Sequence, residues 1–424
     1  MIEIEARLSE LKVLGLDRRT RLVSGPQGPH VLVDGQPVLL LCSDNYLGFA
    51  DHPRVREAAA DAALRWGVGA GASRLGPGTM TIHRRLEERL ASVHGRENAL
   101  LFGSRYLANA GTLAALARPG DVVFCDAHNH ASILDGCRLS DSEVFVYDHC
   151  DLEHLQWGIG HAEGRGVLIV TESVFSLDGD VAPLAAIVEL AQRFELRTFV
   201  DESHGLGTLG PAGRGALAEA GLEDQVDVVA GSLGTALGSH GGYVACDQLM
   251  WRYLINAVPT LVFDTAPAPP SVAGALAALD LLAERPRRVE KLAANAEALR
   301  AGLRAEELDL VPSRTPIVTL AIGDVQRAAS ICRAALTRGV FVEPVLPPAV
   351  APLDSRVRLT VMTGHREDEL LSAARMLGAA ARPAEQRPAA AAMDVAAPEG
   401  PEPGPPPSPG VFDFEAPEPV RRAA

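Results

Sequence analysis

Lysine is almost missing from this 424-residue chain: of 39 basic side chains only Lys12 and Lys291 are lysines, and the rest are arginines. Positive charge is scarce overall, with 54 acidic residues and a net charge of −15. Such a chain gains little from neutralising phosphates, which disfavours generic nucleic-acid binding. Apolar runs as long as the ~18 residues of a membrane-spanning helix are lacking, so such a helix is excluded too. The opening MIEIEARLSELKVLG carries charges through its apolar positions and lacks a signal-peptide core, so a cytoplasmic location is expected. Cysteine is sparse and unpaired: Cys42, Cys125, Cys137, Cys150, Cys246 and Cys332 form no CxxC and sit mostly in apolar runs. They read as reduced core residues, with neither disulfides nor a metal set expected.

What is present is a long alternation of short apolar runs and helical patterns. ENALLFG (97–103), DVVFCD (121–126), EVFVYD (143–148), GVLIVTE (166–172), RTFVDE (197–202), DVVAGSL (227–233) and GYVAC (242–246) read as strands. Several are apolar on consecutive residues, as strands covered on both faces should be. Helical stretches such as 182–194 lie between them, which predicts an α/β fold with a mostly parallel, doubly wound sheet. After about residue 285 the pattern changes to a helix (287–305), a strand TPIVTLAIG, a helix near 325–338, VRLTVM and a final helix, so a smaller α+β domain is expected. The division is 1–50 as an N-terminal segment, 51–285 as a large domain, 286–382 as a small one and 383–424 as a tail. Eleven prolines and few large apolar residues in that tail predict disorder, with Val411–Glu415 as a short island able to dock.

Ligands of open α/β sheets bind at the carboxyl ends of the strands. Polar residues stand at those ends here: Ser104-Arg105-Tyr106, Asp126, Glu172, Asp201-Glu202-Ser203-His204 and Ser232. Each alone reads as a turn or cap; together they point to one polar crevice. Two glycine loops offer little more. Gly67–Gly78 lacks the GK[ST] of a phosphate loop, and Gly205-Leu-Gly207-Thr-Leu-Gly210 is followed by Pro211 where a dinucleotide site needs a helix N-terminus.

The runs SDNYLGFADHP (43–53), GASRLGPGTMTIHRRLEERLA (71–91), NHASILDGCRLS (129–140), TESVFSLDGDVAPL (171–184), VDESHGLGTLGPAGRG (200–215) and GSLGTALGSHGG (231–242) together resemble the α-oxoamine synthase family. The resemblance spans roughly residues 35 to 380. It implies aminotransferase fold type I, with a seven-stranded sheet in the large domain, and pyridoxal 5′-phosphate as cofactor. It also implies a homodimer with shared sites and a decarboxylating Claisen condensation of an amino acid with an acyl-CoA or acyl-carrier thioester. By the resemblance His130 stacks on the pyridine ring, Asp201 pairs with its nitrogen and His204 meets its hydroxyl. Ser104, Arg105 and Tyr106 form the phosphate turn, Ser176 lies in a cofactor-contacting turn, and Ser232 holds the phosphate. Thr265 reaches the phosphate of the partner subunit. Arg358, with Thr360 beside it, clamps the amino-acid carboxylate, and Asn45 lines the substrate entrance. An anion at the ring nitrogen keeps the ring an electron sink, and an arginine fork suits a carboxylate. The loop 339–352 resembles members that use longer acyl chains, and leaves biotin-pathway, glycine-using and sphingolipid-like chemistries open.

Two departures from the family pattern stand out. Thr235 occupies the position of the Schiff-base lysine, and neither Lys12 nor Lys291 lies in a matching motif. Arg105 occupies a glycine position of the phosphate turn, where it either pairs with the phosphate or obstructs the pocket. Three explanations are open for Thr235. The chain is an altered or engineered synthase, or a non-catalytic partner of a lysine-bearing relative, as one subunit of eukaryotic serine palmitoyltransferase is, or a user of the cofactor without an imine.

Overall fold

A computed structural model of the chain describes residues 3–382. The tail from residue 383, with the Val411–Glu415 island, lies outside the described residues.

The seven apolar runs form one sheet: β1 (Asn98–Phe102), β2 (Val122–Asp126), β3 (Glu143–Tyr147), β4 (Gly166–Glu172), β5 (Arg197–Asp201), β6 (Val228–Ser232) and β7 (Gly242–Cys246). Their order is β1-β7-β6-β5-β4-β2-β3, and β7 alone runs against the rest. Successive side chains of a strand point to opposite faces, and here both faces are covered. Leu101, Phe124, Ile169, Val200 and Val229 belong to one apolar cluster, and Phe102, Cys125, Val170, Phe199 and Ala230 to another. That double burial is why these strands read as unbroken apolar runs rather than alternating ones. The connecting helices present single faces: Leu184–Arg193 buries Leu184, Ile187, Val188, Leu190 and Ala191.

Beyond this sheet, Ile317–Gly323, Ser355–Thr360 and Glu343–Val345 make a three-stranded antiparallel sheet. The helices Arg287–Ala305, Val325–Leu336 and Glu367–Ala381 pack against it around a cluster that includes Leu299, Val318, Leu359 and Leu377. A further sheet joins the ends of the chain, because Val340–Phe341 pairs in parallel with Gln36–Leu40. Among the described residues no helix is long and apolar enough to cross a membrane. All six cysteines are free.

Register sets the site. Glu172 of β4 is level with Asp201 of β5, and Asp201 is level with Ala230 of β6. The two carboxylates therefore stand side by side on one face at the sheet's carboxyl edge, with Ser232 one pleat further along β6. Gly242 pairs with both Ser232 and Phe102, which brings the turn after β1 to the same edge. A Cβ at Gly242 would lie 2.4 Å from the Ser104 carbonyl oxygen, so only glycine fits there.

Candidate functional site

Arg105 is the first residue of the helix Arg105–Leu116, capped by Ser104, whose hydroxyl accepts the Leu107 N–H at 3.1 Å. Its side chain turns inward across the sheet edge. Nε donates to Asp201 Oδ2 at 2.7 Å, Nη2 to Glu172 Oε2 at 2.6 Å and Nη1 to His204 Nε2 at 3.3 Å. The guanidinium is 12% exposed and both carboxylates are fully buried. Asp201 is further held by the Asn109 amide at 2.7 Å and the Ser203 N–H at 2.8 Å. Burial alone would raise the Asp201 carboxyl; Arg105 and these donors outweigh it and hold it below the ordinary carboxylate range. Burial dominates at Glu172 and lifts it to about 7 despite the same arginine.

A guanidinium only donates, so His204 Nε2 accepts and its proton sits on Nδ1. That N–H meets Tyr46 Oη at 2.8 Å, and the Tyr46 hydroxyl in turn donates to Asp44 at 3.2 Å. Arg358 closes the line, with Nη2 to Asp44 at 3.1 Å and Nε to the Ser176 carbonyl at 2.8 Å. One continuous polar chain thus runs from Arg358 through Asp44, Tyr46 and His204 to Arg105. Burial, then Arg105, keeps His130 neutral, lowered to about 4. Burial likewise lowers His204 to about 3.

The other expected residues divide. His130 stands at the head of the helix Ala131–Leu139, its Nδ1 2.7 Å from the Ser132 hydroxyl, and Ser132 also meets Asn109. Ser232 accepts the Gly234 N–H at 3.0 Å, and the buried Thr235 hydroxyl donates to the Ser203 carbonyl at 2.7 Å. Tyr106 is largely exposed, bonded to Asp135 and edge-on to His130. Thr265 is exposed and forms a bridge with Ser73. Asn45 and Thr360 act as latches: the Asn45 amide donates to the Gln27 carbonyl and accepts from the Ala50 N–H, and Thr360 donates to the Ser43 carbonyl. Lys12 and Lys291 are both exposed on helices.

One strand-end expectation is corrected. Asp126 does not join the crevice, because Cys125 is level with Val170, which sets Asp126 level with Thr171 and on the face opposite Glu172. Its carboxylate instead takes His149 Nδ1 at 2.8 Å and the Cys150 N–H at 2.9 Å. Asp126, His149 and Cys150 bring ligand-type atoms within 4.8 Å of one another, but His149 Nε2 is also taken, by Asp180 at 2.8 Å. Glu202 likewise turns away, its oxygens accepting the Ala216 and Leu217 N–H groups. The sequence reading passes over Asp44, Tyr46 and Asn109. Asn109 had a signal, standing one helical turn after Arg105 on the same face.

The geometry decides whether a pyridoxal ring fits. The anchors that the resemblance assigns to it are Asp201 for the nitrogen and His204 for the hydroxyl, and Arg105 engages both. Both anchors are therefore already bonded to a side chain of this protein, and a ring would have to displace Arg105 from them.

Comparison with known proteins gives the lineage. The family model for aminotransferases of class I and II matches residues 36–377. The chain is 44% identical over 362 residues to 8-amino-7-oxononanoate synthase of Anaeromyxobacter dehalogenans, covering 85% of this chain and 91% of that one. It is 42% identical over 370 residues to the protein of that name from Geobacter sulfurreducens, covering 87% and 95%. Among solved structures, serine palmitoyltransferase from S. paucimobilis with a bound PLP–myriocin aldimine superposes with a TM-score of 0.85 at 30% identity, covering 89% of this chain and 96% of that one. The chain belongs to the α-oxoamine synthases, the pyridoxal-phosphate-dependent acyltransferases of the aminotransferase fold.

Proposed function

We propose that the chain serves the family's acyl-CoA:amino acid C-acyltransferase chemistry, a decarboxylating condensation to an α-oxoamine, as the non-catalytic subunit of a cytoplasmic dimer. The reaction then runs in the pocket of a lysine-bearing relative. One observation carries this reading: the Arg105 guanidinium bonds both Asp201 and His204, the two groups that the resemblance assigns to the ring, and Glu172 beside them. Thr235 agrees with it, because a threonine has no amine for an imine and no useful base. General acid–base catalysis alone contributes about 10²–10⁴-fold. The large domain, 51–285, would supply the dimer face, and 286–382 would carry the Arg358 side of the cleft. Leu64, Val68, Leu75 and Phe263 are exposed on or beside two segments tied together at Ser73–Thr265, and exposed apolar patches mark protein interfaces.

A second reading, catalysis in the chain's own pocket, is favoured by the retained Asp201, His130, His204, Ser232 and Arg358. The S. paucimobilis relative carries a lysine-to-alanine substitution and still holds a PLP–myriocin aldimine. In that reading Arg105 withdraws when cofactor and amino acid arrive.

Free thiol release separates the two. The purified chain, given pyridoxal phosphate, amino acids and acyl-CoAs, is expected to release none above the protein-free background. Co-expressed with a lysine-bearing relative, it is expected to co-purify with it and to release thiol. Release by the chain alone rejects the subunit reading in favour of the second.

A further inference from the structure

We infer that Arg105 is an internal replacement for the cofactor: its guanidinium supplies the cation that the paired carboxylates Asp201 and Glu172 require, so the chain folds without pyridoxal phosphate and does not admit it. The inference concerns the same pocket as the subunit reading but does not depend on a partner existing.

The strand register creates the need. Two carboxylates level on adjacent strands and fully buried repel each other, and a buried charge without a partner is strongly destabilising. In the family pattern the cationic ring pairs with Asp201. Here the fork of Arg105 does so, and with the same pair of contacts, Nε on Asp201 and Nη1 on His204. The fork of the guanidinium reaches both carboxylates with separate nitrogens, which the point charge of a lysine ammonium does not do. Asn109, one turn further along the same helix, fixes the Asp201 oxygen that receives it.

The two departures from the family pattern also answer each other. Thr235 binds the Ser203 carbonyl, inside the 201–204 segment whose Asp201 and His204 hold Arg105. A lysine at 235 would bring a second cation to the segment Arg105 already serves. Losing that lysine and gaining Arg105 keeps one positive charge beside the acids and leaves no amine for the cofactor.

Thermal melting and absorbance with and without pyridoxal phosphate test this. The wild-type chain is expected to keep the same Tm and to carry no bound-cofactor absorbance after gel filtration. Arg105→Gly is expected to melt roughly 4–6 °C lower without the cofactor. Its Tm should climb as pyridoxal phosphate is added, because a ligand that binds only the folded form stabilises it. If Arg105→Gly does not accumulate folded, refolding with pyridoxal phosphate present is expected to recover it, and failure to recover counts against the proposal. Arg105→Lys keeps a cation without the fork and is expected to melt between the two. Bound cofactor on the wild-type chain, or an Arg105→Gly protein as stable as wild type and equally indifferent to the cofactor, overturns the inference. Co-purification of a lysine-bearing relative with Arg105→Gly as with wild type would leave the subunit reading standing whichever way the melts fall.

Discussion

Asp201 and Glu172 share one guanidinium, and a single positive charge neutralises only one of them. Asp201 keeps its charge because two further donors point at it, whereas Glu172, with burial as its largest influence, takes a proton below about 7. Its ordinary value is 4.5, so between pH 4.5 and 7 the folded chain holds a proton that the unfolded chain has released. Stability from this group is therefore fully present below 4.5 and falls as pH rises through about 7. Glu172→Gln keeps an acceptor for Arg105 and cannot ionise. Its stability relative to wild type is expected to grow from pH 4.5 to 7 and then level off, reaching on the order of 3 kcal/mol. Urea unfolding of both proteins at pH 5, 6, 7 and 8 checks this, and a constant difference across the series would remove Glu172 as the titrating group. His149 is the opposite kind of site: burial works against its charge, but Asp126 and Asp180 on its two nitrogens push it up to about 12. His149→Asn is expected to cost about 3 kcal/mol in the same unfolding measurement at pH 7, because the buried Asp126 loses its cationic partner and keeps only backbone N–H donors.

Elements were far more legible than the site they build. The seven apolar runs became the seven strands within a residue or two, and the helix expected at 287–305 is Arg287–Ala305. Both follow from burial, which consecutive apolar residues and helical spacing report directly. Side-chain direction does not follow so easily. Asp126 and Glu172 look alike as strand-end acids, and only the pairing of Cys125 with Val170 sends them to opposite faces. Arg105 was visible as a departure from a glycine pattern, yet its destination depended on two acids from strands about 67 and 96 residues away. Those strands are neighbours only because of the crossover order, which a single sequence does not display. The turn that aims Arg105 gives a test at this scale. Gly242→Ala normally ought to stabilise a chain by restricting its unfolded state. Here the added methyl meets the Ser104 carbonyl at 2.4 Å and the Arg105 nitrogen at 2.5 Å, so a loss of about 2–3 kcal/mol is expected instead. A gain on denaturant unfolding would mean that the turn after β1 yields freely.

At the scale of the whole molecule, charge and apolar surface pull in opposite directions. A net charge of −15 makes copies of this chain, or a copy and an acidic relative, repel at long range. Any dimer must then be held by short-range contacts. Phe263 is the strongest candidate for one: it is 86% exposed, two residues from the Thr265 that the family pattern directs at a partner's site. A large aromatic left in water on a monomer is costly, and aromatic anchors carry much of the energy of interfaces. Two consequences follow for sedimentation measurements. The proposed dimer is expected to tighten as salt rises from 10 to about 150 mM, because the screening length shortens from roughly 30 to 8 Å. Phe263→Glu is expected to weaken it at least tenfold, the scale of one lost anchor, while its melting temperature as a monomer stays within about 1 °C of wild type. An unchanged dissociation constant in Phe263→Glu would move the interface off this patch. With it would go the geometric support for the proposal that Thr265 acts in a partner's pocket.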